Sequence, residues 1–509
     1  MTDNAKAIKI IFIILTIILL STSVGFLSSD ENPLFSLALC IIPISILSII
    51  FIKEKIWYTW FLLPPLFLPL GIHSDYKYFL IILTTLPFYI WFIIREKIPI
   101  TWNKLLLLDI PLSILLIYIA YVFLSNPFGI GVDYFEDYYG GKGYVLCLGA
   151  LLAYISYSTL VTNSHQLGKL LTWYLPILIF FTIISTIKAL VLGEGESLEN
   201  VNQTSGNEGY REMEYLSLSI LIGQLIIIKY NIKDIIIKIW PSILGGLSCL
   251  GILISGFRSR VLFLAFTFIC VSILYKRWFT LFIIPLIGIS CLTILSANGT
   301  TRELPSGIQR CLAPLEFIDI DPNIRREAQG SIDWRTQMWD WALDDRELFI
   351  KDKIWGDGFS FDIYTMKANI YFQTRNIREV GDSMGNMQYA RTGQWHNGPI
   401  STIHSLGYVG LAIFSILSVI GMYYSWLVST IYKKHQYKTG ILYISLTTFM
   451  STPIFYFIYA DAFKAIPLHI INLTIIKLLY CCAKREGLYI TKSTRKEYIP
   501  LSCRTAQAE

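Results

Sequence analysis

Arg258 and Arg260 stand two residues apart in SGFRSRVLFLAF, between two apolar runs, and His396-Asn397 opens another apolar run much later in the chain. A guanidinium presents a planar fork of N–H donors that fits phosphate oxygens. Imidazole changes charge nearest neutral pH and is the default general acid or base. Fixed cations beside a histidine therefore suit chemistry in which a phosphate-bearing group develops charge while a proton is moved. Competing with that reading, the arginines snorkel to lipid headgroups and the histidine is simply satisfied at an interface. His404 lies eight residues past His396, about 2.2 helical turns at 3.6 residues per turn. That puts it on roughly the same face, deeper in. With Asn397, and with Asp357 of IWGDGF, it forms a second rank of candidates.

Other site chemistries find no support. The nine cysteines show no metal-ligand spacing. Cys40, Cys249, Cys270 and Cys291 lie inside apolar runs, Cys481-Cys482 near a helix end, and Cys311 has no partner in its loop, so all read as small apolar residues. There is no HExxH, no GxSxG and no P-loop. The loop carboxylates from Asp319 to Asp357 do not fit an EF-hand. No metal, cofactor or nucleic-acid partner is expected.

The elements that must position these residues follow from composition. Hydrophobic residues make up 54% of the 509 and charged residues only 15%, against about 25% charged in a soluble chain; mean hydropathy is +0.55. The apolar runs are long, whereas barrel strands would be ~10-residue alternating segments. The expected fold is an all-α integral membrane protein. A span needs ~20 apolar residues, which gives about 12–14 transmembrane helices. They fall near 8–27, 34–52, 57–72, 77–95, 104–125, 142–162, 168–192, 213–230, 235–256, 260–275, 278–297, 400–432, 438–459 and 463–482. Lys6 and Lys9 mark the start of the first, which is read as a span rather than a cleaved signal. Pro64, Pro65 and Pro69 make the third irregular.

With a cytoplasmic N-terminus, alternation sends Lys53/Lys55, Arg95/Lys97/Lys104, Lys169, Lys229/Lys233, Lys276/Arg277, Lys433/Lys434/Lys438 and the Lys484–Lys496 tail inside. Asp30-Glu31, Asp133–Asp137 and Glu194–Glu199 go outside. That is the positive-inside asymmetry. It divides the chain into a helical membrane region (1–297), a large outer loop (298–399), C-terminal spans (400–482) and a basic cytoplasmic tail (483–509) on the membrane surface. Arg258 and Arg260 fall on the outer side, against that bias, and an ionisable residue in such a place is a functional hypothesis by default. Within the loop, SIDWRTQMWDWALDDREL has helical period, with Trp334, Met338, Trp341 and Leu348 on one face. Such a helix fits either the headgroup level or a small core of the loop itself.

At these residues the chain resembles the O-antigen ligase/polymerase family of bacterial membrane glycosyltransferases. The shared parts are the SR turn entering an apolar helix (Ser259-Arg260-Val261-Leu262-Phe263-Leu264), a helix carrying Arg335, Trp339, Ala342 and Leu343, the Gly356-Asp357-Gly358-Phe359 element, and His396-Asn397 with Gly407 and Gly410. The resemblance covers about 235–411. It implies a GT-C-like, metal-independent, inverting transferase of the bacterial inner membrane, with both termini cytoplasmic and the large loop periplasmic. Its donor would be a glycan on undecaprenyl diphosphate and its acceptor the lipid A-core. Arg260, with Arg258 as alternate, and Arg335 would bind the diphosphate, and His396 would assist attack by the acceptor hydroxyl. The family pattern expects one arginine where FRSR offers two, and the polar insertion Lys367–Gln394 has no counterpart role. A polymerase using a second undecaprenyl-linked glycan as acceptor is the close alternative, followed by a protein O-oligosaccharyltransferase. A polysaccharide flippase or transporter ranks lower, because mid-span charges are few (Asp109, Lys188).

Overall fold

The computed structural model describes residues 53–64, 77–98, 102–126, 142–191, 209–231, 234, 237–254, 258–344, 350–359, 395, 397–457 and 462–488. Among the described residues the chain is helical, with no strand. The helices are α1 (Lys77–Arg95), α2 (Leu106–Ser125), α3 (Lys142–Thr159), α4 (Ser164–Val191), α5 (Gly209–Lys229), α6 (Ile239–Ile254), α7 (Arg258–Leu274), α8 (Trp278–Ala297), α9 (Ser306–Leu312), α10 (Pro322–Leu343), α11 (Gly398–Tyr432), α12 (Lys438–Phe457) and α13 (Ala462–Arg485). Five segments are long and apolar enough to cross a membrane, in α1, α2, α8, α11 and α13, and shorter apolar helices lie in α3, α5 and α6. The chain is an all-α integral membrane protein. The expected spans at 8–27 and 34–52 lie outside the described residues. Where 57–72 was expected to span, the described part is a 3-10 turn, Lys53–Tyr58, and one helical turn, Thr59–Leu62.

Burial sorts the bundle from its centre outward. In α13, 78% of the apolar window is buried, whereas in α8 the share is 6%. Hence α13 is the central helix, and the outward Phe279, Phe282 and Leu286 of α8 meet lipid. At the centre α11 packs against α2, α12 and α13, and α13 against α3. A buried ion pair joins them, Lys477 Nζ to Asp109 Oδ1 at 2.5 Å. Tyr154 donates to the same oxygen at 3.0 Å, and Lys477 donates to Ser158 Oγ at 2.8 Å. Asp109 Oδ2 also accepts from the Leu105 amide at 2.8 Å. Charges this deep persist when paired and fully hydrogen-bonded. Asp109 thus ties α2, α3 and α13 together.

The helix expected at 331–348 begins earlier, at Pro322. Asp321 accepts from the Asn323 amide at 2.7 Å, with Pro322 at the first helical position, a start signal that apolar periodicity does not contain. Its last turn ends at Leu343, and Leu348 lies outside the described residues.

Candidate functional site

The segment 350–359 meets the helical bundle at a break in α11. Thirty-five residues would make a helix of about 52 Å, well beyond a hydrocarbon core of about 30 Å, and α11 is interrupted at Gly407 (φ 66°, ψ −177°). The break frees backbone groups on both sides, and the segment 353–358 takes them up. Asp357 N donates to His404 O at 2.7 Å and Gly358 N to Ser405 O at 3.0 Å. In return Tyr408 N donates to Lys353 O at 2.8 Å and Val409 N to Ile354 O at 3.2 Å. Gly356 (φ 87°) sits against the backbone of Leu406 and Gly407, where a Cβ has no room. From α2, the Tyr118 hydroxyl lies 2.8 Å from Trp355 O and 2.9 Å from Leu406 O, bridging loop and break. Gly-Asp-Gly-Phe and Gly407 are therefore two halves of one joint.

The second-rank candidates are bound into this joint. Asp357 accepts the Lys351 and Asp352 amides, one on each carboxylate oxygen, both at 2.9 Å. Asn397 caps α11, accepting from Ile400 N at 3.1 Å. His404 is buried, and its Nδ1 accepts from Trp395 Nε1 at 3.0 Å, which leaves the ring proton of the neutral imidazole on Nε2. His396 lies outside the described residues, between Trp395 and Asn397, both of which are fixed.

The helix α10 packs its Met338 and Ala342 with Trp395, Ile400 and Ile403, and Trp334 and Trp339 flank this cluster. Trp339 Nε1 donates to Trp395 O at 2.9 Å. Of the two placements expected for this helix, the loop's own core, continued into the start of α11, accounts for its apolar face. The side chain of Trp341 lies outside the described set. Arg335 is half-buried, its guanidinium 6.0 Å from the Trp334 ring.

The two arginines of the FRSR segment part company. Both lie in the first turn of α7, two residues apart, which is about 200° around a helix. Arg258 turns outward: its Nη2 donates to Ala328 O of α10 at 3.2 Å, and it lines a groove of about 860 Å³ with Arg325 and Arg326. Arg325 is committed to Ala313 O and Ile318 O, which closes the 313–318 turn over the groove. Arg260 instead lines a cavity of about 450 Å³ walled by α4, α5, α11, α12 and α13. Arg335 is one turn beyond Ile332, the last α10 residue of the Arg258 groove. Cys311, in α9, is a free thiol whose pKa is pushed up by burial.

Residues 243–415 match the family model of the O-antigen ligases. The chain carries an O-antigen ligase family domain. No curated protein and no solved structure matches the chain. The matched residues run from within α6 to the middle of α11, so Arg258, Arg260, Arg335, Asp357, Asn397, His404 and the Gly407 break all fall inside the family domain. Of the cavity's lining, Arg260, Phe263 and Phe414 fall inside it, and the rest falls outside, including a wall on α12 and α13. That wall holds His469, which sequence reasoning missed. It sits alone in an apolar helix, and its partner Ser451 is on another helix, so no spacing announces it.

Proposed function

We propose that this protein is an O-antigen ligase-type glycosyltransferase, moving a glycan from undecaprenyl diphosphate to a lipid A-core acceptor at the outer face of the bacterial inner membrane. The observation that carries the reading, alongside the family match, is the forked first turn of α7. One arginine serves the outer groove beneath α10, and the other serves a cavity inside the bundle. A lipid-linked diphosphate has the same two-sided need, an apolar tail within the bilayer and a charged head at its surface.

In this scheme Arg260, with Arg258 and Arg335 nearer the glycan, neutralises the diphosphate as it leaves, a role for fixed donors in a water-poor site. The acceptor oxygen attacks the anomeric carbon as the carbon–oxygen bond to the diphosphate breaks, inverting the centre. His396 takes the hydroxyl proton. Large loop outside, both termini inside, and the four regions 1–297, 298–399, 400–482 and 483–509 belong to the same proposal. A polymerase, with a second lipid-linked glycan as acceptor, shares this donor site.

The test is deletion followed by gel analysis of lipopolysaccharide. A ligase deletion leaves bare core while lipid-linked polymer accumulates; core bearing a single repeat identifies the polymerase instead. Unchanged ladders in both the surface and the lipid-linked fractions sink both readings.

A further inference from the structure

His469, on the third turn of α13, is 5% exposed and lines the cavity that Arg260 enters. Its protonation pattern can be read from its neighbours. Ser451 Oγ donates to Thr448 O at 2.7 Å, and a hydroxyl has a single proton. The 2.9 Å contact between Ser451 Oγ and His469 Nδ1 therefore has the imidazole N–H as its donor. Nε2 of the neutral ring is left as an acceptor, and it is buried with no partner among the described residues. Buried polar atoms are almost always paired. An unpaired acceptor on a cavity wall marks the place of a ligand's O–H or N–H.

Arg260 and His469 together ask for an anion that also carries a proton. The remaining walls are mostly aromatic and aliphatic, with Phe414, Phe455 and Leu468 among them, interspersed with Gln224, Thr447, Thr452 and Asn472, which suits an amphiphile with a polar head. We propose that this cavity receives a free lipid diphosphate, its charge on Arg260 and its terminal P–O–H donating to His469 Nε2. The lipid class rests on the transferase reading above. In that reaction each phosphorus of the donor is a diester with no P–O–H. Once the anomeric carbon–oxygen bond has broken and the acceptor's proton has passed by way of His396 to the leaving oxygen, the lipid diphosphate holds a terminal phosphate with a second pKa near 6. His469 thereby distinguishes what leaves from what arrives. It is a binding residue for the product and lies outside the family domain.

The experiment measures equilibrium binding to the full-length protein in nanodiscs, with undecaprenyl diphosphate, phosphatidylglycerol (a phosphodiester) and inorganic phosphate as probes. Wild type is expected to prefer the diphosphate lipid by about tenfold or more, the size of one hydrogen bond to a charged group. The preference should shrink from about pH 6 to pH 8 as the terminal phosphate loses its proton. The other titratable groups on the cavity wall are Arg260, Tyr78, Tyr157, Tyr174 and Tyr443, whose ordinary pKa values are about 10 or above. Two turns further along α13, Lys477 is paired with Asp109. His469→Leu should erase the preference and leave phosphatidylglycerol binding unchanged, while His469→Gln, which keeps an acceptor, retains part of it. Equal wild-type affinities, or a preference that grows with pH as attraction to Arg260 alone would give, overturns the proposal, and so does a preference that survives His469→Leu. Displacement of the lipid by equimolar inorganic phosphate overturns the lipid assignment. Binding is read without an acceptor, so a failed ligase reading in the gel assay leaves this result standing, and the converse holds.

Discussion

Replacing Gly407 by alanine isolates the joint between loop and membrane. Its φ of 66° and ψ of −177° lie in a region that is essentially glycine's alone, costing other residues on the order of 1–3 kcal/mol. A Cβ there also runs into the Ile354 carbonyl, so segment 353–358 has to move. Four backbone hydrogen bonds cross this seam, each worth about 0.5–1.5 kcal/mol net. Strain plus the loss of two of them is on the order of 2–6 kcal/mol. That is enough to populate an undocked loop without unfolding the spans. The assay is protease added to the outer face of spheroplasts, with lipopolysaccharide ladders run in parallel. Gly407→Ala should be cut in the large loop and lose transfer while staying in the membrane. Gly246→Ala is the control, because nothing lies within 4 Å of its Cβ position. Wild-type protection and ladders in Gly407→Ala would refute the joint as the structural basis of the site.

Further outcomes are expected for the ion pair, the loop and the reaction. Lys477→Met strands the Asp109 carboxylate and should lower stability by about 3–5 kcal/mol; adding Asp109→Asn should restore most of it, read as thermal unfolding in detergent. Asp357→Asn weakens the two amide contacts at 2.9 Å and should loosen the loop by about 1 kcal/mol, seen as faster outer-face proteolysis with the melting temperature unchanged. His396→Ala should slow transfer by ~10²–10⁴-fold and Arg260→Ala should abolish it, both proteins remaining in the membrane; chelators should have no effect on the wild type.

The apolar helices were legible because transfer from water to hydrocarbon is a sum over local residues, and tertiary contacts barely alter it. Leu106–Ser125 and Trp278–Ala297 fall within two residues of their expected limits for that reason. The order of the family elements was legible too, although their physical connection was not. Gly356 and Gly407 stand far apart in sequence, and only the backbone shows that they pack against each other. Asn397 drew attention beside a histidine and Asp357 within Gly-Asp-Gly-Phe, but the structure gives each of them backbone amides to hold. His469 was invisible in the sequence because its significance lies in a missing partner, and an unpaired nitrogen is a property of a packed interior.

The arginine pair carries the most general lesson. Read as a turn, FRSR presents two guanidinium groups as alternates for one task, one redundant with the other. Once Arg258 is the first residue of a helix, a separation of two becomes about 200° of rotation, and the two guanidinium groups leave the helix on different faces. Arg258 reaches α10 through Ala328 O, and Arg260 lines the same cavity as His469. The first turn of α7 is thereby a partition between what the loop handles and what the bundle holds. A transferase that passes a charged headgroup between lipid and water needs cations on both sides of such a boundary, and a helix start with arginines two apart supplies them from a single turn.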